Sequence, residues 1–215
     1  MIFSSKTRWF IAMLVATALI FSFASCSSDS DDDDDDSSSS SSSSAPSASA
    51  LAGKMFTTIA SVSSYAEVAA NDDIILAFNS SGTGGTHYEY DSETSAWKSY
   101  SFSYNNSTGE VSFGNTVEIA LVSLSDGYYF FIIDSPLGSD LSTVLTKLLG
   151  KTVTASGGKI TYNGVQVGSY TESGNVVSVT LTGVSGTGYL AKYSGQYYEL
   201  DMQLYSYSGS LPSVN

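Results

Sequence analysis

Thiols, imidazoles and guanidinium groups are almost missing from this 215-residue chain, which has one cysteine (Cys26), one histidine (His87) and one arginine (Arg8). A lone cysteine excludes an internal disulfide, so a folded domain must rest on its core. A single histidine excludes a three-histidine zinc site. From Leu51 onward six lysines face fourteen acidic residues and no arginine. Such a surface argues against nucleic-acid binding, which needs clustered basic groups to neutralise phosphates, and against electrostatic adhesion to anionic lipid. Proline is scarce, at positions 46, 136 and 212. The chain also lacks a Gly-x-Ser-x-Gly elbow. Its glycine-rich stretches, Gly82-Thr83-Gly84-Gly85 and Gly183 to Gly188, are not followed by a helix with a phosphate-loop lysine, so they read as turns. The sequence predicts neither enzyme activity nor a cofactor or metal.

One long apolar run is present, Trp9 to Phe21, preceded by Lys6 and Arg8. Its thirteen residues would span about 20 Å as a helix, against roughly 30 Å for a bilayer core, so the run suits a secretory h-region better than a permanent span. It is followed by Phe23-Ala24-Ser25-Cys26. This tetrapeptide resembles the bacterial lipobox, in which an apolar residue and two small residues precede an invariant cysteine. The resemblance implies that residues 1–25 are a signal peptide cut before Cys26 and that the Cys26 sulfur carries a diacylglyceryl group. The mature chain would then be held at the cell envelope, at the outer membrane and facing the periplasm or the outside. One acyl chain binds only reversibly, whereas two or three hold firmly, since each buried methylene contributes about 0.8 kcal/mol. An ordinary signal peptide with a chance cysteine beside its cleavage site is the plainer alternative.

Residues 26–50 read as a tether. Seven aspartates, six of them from Asp31 to Asp36, and the serine run Ser37 to Ser44 offer nothing apolar to bury. As a coil, Ser27 to Ala50 would reach about 25 to 30 Å, and charge repulsion would lengthen it. The aspartate run suits a solvated spacer. It also resembles the acidic surface-export signal of some lipoproteins, and a weak calcium site is a third reading, one that needs a structured loop.

Residues 51–215 have the length of a single domain. All fifteen tyrosines lie here, with abundant Ser, Thr, Gly and Val, a composition that favours strands and tight turns. Period-two alternation appears at His87 to Asp91, Ser99 to Tyr104, Glu110 to Phe113, Val117 to Leu121, Val176 to Leu181 and Tyr197 to Tyr207, and Ile74 to Phe78 is an apolar strand. Tyr128 to Ile133 is apolar throughout and predicts a strand covered on both faces. Leu137, Leu141, Val144, Leu145, Leu148 and Leu149 recur at helical spacing between a candidate Ser139 cap and Gly150, giving one amphipathic helix to cover that strand. Consecutive hairpins of ten or eleven strands predict a mainly β fold, an antiparallel meander closed into a barrel. Gly53-Lys54-Met55-Phe56, then Ile74 to Phe78 with its Ser-Ser-Gly turn, then Trp97 to Tyr104, resembles bacterial lipocalin-like domains over Gly53 to Phe113. That likeness implies a lipocalin-like barrel with room for a small apolar ligand.

If hollow, the barrel would be lined by Tyr100, Phe102, Tyr104, Phe113, Leu181, Leu200 and Met202; if filled, the same residues are core. In the second case outward tyrosines such as Tyr197, Tyr205 and Tyr207 would present a face to an extracellular protein or sugar, as in an adhesin-like or structural protein. His87 beside Glu89 reads as a solvated strand residue. The pairs Asp72–Asp73 and Glu199–Asp201 read as wet surface rather than as catalytic carboxylates.

Overall fold

The computed structural model describes residues 45–200 and 202–214. The signal segment, Cys26, the acidic part of the tether and Asp201 lie outside the described residues. Among the described residues there are fourteen strands. Eight form the barrel: β1 (Met55–Thr57), β2 (Ile74–Phe78), β3 (Gly84–Asp91), β4 (Ala96–Tyr104), β5 (Glu110–Phe113), β6 (Thr116–Leu124), β7 (Gly127–Ile132) and β14 (Met202–Ser206). The remaining six, β8 (Thr154–Ser156), β9 (Lys159–Tyr162), β10 (Val165–Ser173), β11 (Val176–Leu181), β12 (Gly188–Tyr193) and β13 (Gln196–Glu199), form a second antiparallel sheet.

The barrel runs β1-β14-β7-β6-β5-β4-β3-β2 and closes on itself. Strands β1 to β7 form the meander that hairpin spacing predicts. The chain then leaves to build the second sheet and returns so that β14 seals the gap between β7 and β1, with Phe56 opposite Ser206 and Met202 opposite Phe130. Closure leaves no barrel strand with an unpaired edge. The six strands of the second sheet were expected within the barrel. Alternation assigns a residue to a face, not to a particular sheet, and this is why the sequence merges the two.

Helix α3 (Leu141–Leu149) forms where the apolar spacing places it. Its cap is Asp140, not Ser139: the Asp140 carboxylate accepts from the Thr143 N–H at 2.8 Å, and Gly150 ends the helix in the left-handed region at φ 66°. The helix covers the second sheet rather than β7. Leu141, Val144 and Leu145 pack with Ile160, Val177, Val179, Leu190 and Tyr197. The cover over β7 is the other face of that sheet, where Val176, Ala191 and Tyr198 meet Ala120, Val122 and Phe131. The layers are therefore helix, sheet and barrel wall.

The short helix α1 (Ala48–Leu51), whose first three residues the sequence assigns to the end of the tether, is packed against the barrel. Ser47 caps it, accepting from the Ala50 N–H at 3.2 Å. Leu51 is fully buried in the barrel's core cluster, and the buried Tyr104 hydroxyl donates to the Pro46 carbonyl at 2.6 Å. Gly82 lets this segment approach, because a Cβ there would stand 1.9 Å from the Ala48 carbonyl oxygen.

Candidate functional site

The barrel interior is built by the inward parity of each strand. On β3 and β4 the pairs Gly85–Phe102, His87–Tyr100 and Glu89–Lys98 share the inner face. At the end nearest α1 the lumen is filled by aromatic rings meeting edge to face, as their quadrupoles favour. Phe78 stands at the centre, 5.1 Å from Phe102, 5.8 Å from Tyr104 and 6.0 Å from Phe56 between ring centroids. Leu76, Val111, Ile119, Leu121, Phe130 and Leu204 complete the packing, all 4% exposed or less.

Five of the seven lining residues proposed from sequence share this lumen. Phe102 and Tyr104 are buried, Phe113 and Met202 are half-buried against the same cluster, and Tyr100 stacks on His87. Leu181 and Leu200 do not belong with them. Leu181 ends β11 and packs beneath α3, while Leu200 packs in the seam between sheet and barrel wall. Phe78 and Phe56 have the same inward parity and were not singled out, although the alternation of β2 carries that signal.

His87 corrects the sequence reading. It has no exposed surface; its ring lies 5.9 Å from Tyr100 at an interplanar angle of 29° and 5.6 Å from Phe113. Burial pulls its pKa down to about 4, so the ring is neutral at pH 7. Asp73 is also buried rather than wet. Its carboxylate accepts the Thr58 N–H at 3.1 Å and the Thr58 hydroxyl, fixing the exit of β1. Burial raises its pKa while those hydrogen bonds oppose the rise.

The outer tyrosine face expected from sequence is located elsewhere. Tyr197 and Tyr207 are 6% and 4% exposed, and Tyr205 is half-buried. The Tyr197 hydroxyl donates to Glu172 at 2.9 Å and the Tyr207 hydroxyl to the Ser210 carbonyl at 2.8 Å. An aromatic face does exist on the outside of β3 and β4, where helix α2 (Tyr65–Ala70), packed on β2, comes beside Tyr90 and Trp97. The helix starts at Ser64, whose hydroxyl accepts from the Glu67 N–H, while the Glu67 carboxylate accepts from the Ser63 N–H at 2.7 Å. Its Val68 is buried against Ile75 and Tyr207.

Above that contact Tyr65, Ala66, Ala69 and Ala70 of α2, Tyr90 of β3 and Trp97 of β4 line an open groove of about 390 Å³. Tyr90 and Trp97 are directly opposed across the two strands, their rings 5.6 Å apart at 61°. Tyr65, 40% exposed, stands edge-on to Trp97 at 6.2 Å and 85°. Sequence reasoning set Trp97 in a strand but did not pair it with Tyr65, because that meeting depends on where α2 lands. Among the described residues no three His, Cys, Asp or Glu side chains gather as a metal ligand set.

The fold defines the chain as a closed antiparallel β-barrel protein carrying a second, helix-covered sheet. No protein-family model, no curated protein and no solved structure matches it.

Proposed function

We propose that this chain is a lipid-anchored envelope protein without catalytic activity, whose filled barrel presents its outer surface to a partner. The observation that carries the reading is the aromatic packing of the lumen by Phe56, Phe78, Phe102 and Tyr104, which fills space that an internal ligand would need. The lipobox-like Phe23-Ala24-Ser25-Cys26 supports the anchor and the acidic serine-rich tether supports a displaced body. Geometry adds a direction. The tether enters at Pro46, against Tyr104 at one end of β4, and the groove lies by Trp97 at the other. Nine residues of β4 separate the two by about 25 Å of strand. Pro46, where the tether would enter, and the groove therefore stand at opposite ends of β4.

Metabolic labelling with a fatty acid tests the anchor: wild type takes up label and Cys26→Ala does not. An unlabelled wild type would remove the envelope assignment. Protease treatment of intact cells tests outward display, which digestion supports and protection overturns. Native mass spectrometry of the purified protein tests the filled barrel, since a retained apolar molecule would return binding to the lumen.

A further inference from the structure

Building on the reading that the outer surface recognises a partner, we propose that the groove formed by Tyr65, Tyr90 and Trp97 binds a quaternary ammonium group. Ring geometry comes first. Tyr65 and Tyr90 are inclined to Trp97 at 85° and 61°, and all three rings line one open groove of about 390 Å³, an arrangement in which more than one π-system can meet the same ligand. A cation seated over such faces is attracted by the ring quadrupoles, most strongly by tryptophan. The alanine side, Ala66, Ala69 and Ala70, gives the methyl groups of the ligand an apolar wall without filling the space.

Charge complementarity selects a cation over a neutral ligand. The turn that joins Tyr90 to Trp97 carries Glu93, and α2, which supplies Tyr65, carries Glu67, whereas the one lysine between Ser64 and Lys98 lies with Glu89 and Asp91 on the inner side of the wall. That lysine, Lys98, is committed to Asp91 at 2.6 Å. Hydrogen-bonding chemistry then selects the quaternary form. The lining offers only tyrosine hydroxyls, an indole N–H and methyl groups, with no carboxylate in the wall to accept from a primary ammonium. A quaternary nitrogen has no N–H to satisfy and seeks only ring faces and a negative surround.

The test uses the full chain carrying Trp9→Phe, solubilised in a polyoxyethylene detergent, so that Trp97 is the only indole. Choline and tetramethylammonium chloride are titrated against Trp97 emission, beside 3,3-dimethylbutan-1-ol, the uncharged carbon isostere of choline, and methyl glucoside. The expected result is a saturable change with both cations and binding of the isostere weaker by about tenfold or more. Tyr65→Leu, at a half-exposed position where folding is retained, is expected to weaken choline binding by about threefold or more, with an unchanged circular dichroism spectrum confirming the fold. Equal binding of choline and its isostere, a response to methyl glucoside alone, or no saturable cation response would each overturn the proposal. None of these outcomes alters Cys26 labelling or protease access, so the anchored-recognition reading stands or falls separately.

Discussion

Protonating His87 between Tyr100 and Phe113 would put a charge where no solvent reaches, so the folded state resists a proton that the unfolded chain accepts. The folded pKa of about 4 lies below the ordinary value of 6.5. The stability His87 confers is full above pH 6.5 and is lost as pH falls toward 4, by roughly 3 kcal/mol. Urea unfolding of His87→Phe should show a flatter pH profile than wild type across that window. The comparison isolates His87 from Asp73, whose raised pKa acts with the opposite sign. A second residue-scale expectation concerns Gly82, at φ 69° and with Ala48 against its α-carbon. Gly82→Ala should lower stability by about 2 to 4 kcal/mol in thermal or urea unfolding, through backbone strain and displacement of α1. Neither residue declares itself in the sequence. His87 sits in a run whose alternation is plain, but Glu89 and Asp91 on the same parity make that face look wet. They are inward too, at the end of the barrel away from α1, where Lys98 pairs with Asp91.

Helix α3 is the element most legible in advance, because its leucine spacing and terminal glycine agree, although Asp140 caps it where Ser139 is expected. What it covers could not be read. An apolar stripe states that a partner surface exists, and both β7 and the second sheet offer one. Leu145→Ala should cost about 3 kcal/mol by emptying space against the second sheet. Gly150→Ala should cost about 1 kcal/mol, since the left-handed turn is strained for alanine while no atom lies within 4 Å of the added carbon. Both are measured by urea unfolding. The six residues Ala45–Ala50 show the reverse case. Their small side chains look like more tether, yet Ser47 caps a turn and Pro46 is buried. What distinguishes them is long-range, the hydrogen bond from Tyr104 and the approach of Gly82 to Ala48, and no local pattern encodes either.

At the level of the molecule, barrel and second sheet share one seam. Phe131 lies 5.0 Å from Tyr198 between ring centroids, and the Tyr193 hydroxyl donates to Glu110 of β5. Phe131→Ala should destabilise the protein by about 3 to 5 kcal/mol and, because the seam couples the two layers, keep a single unfolding transition by calorimetry. The mainly β class and the closed barrel were readable because each hairpin is local. The division into two sheets was not, since it depends on which strand β14 joins. That strand has a further consequence in time. A ribosome delivers β1 among the earliest folded residues and β14 among the last, so the ring stays a gapped ribbon, with β1 and β7 both open to strangers, until synthesis is complete. Nearly all of its neighbours are in place before it can shut, and a polypeptide halted before Met202 would never shut at all.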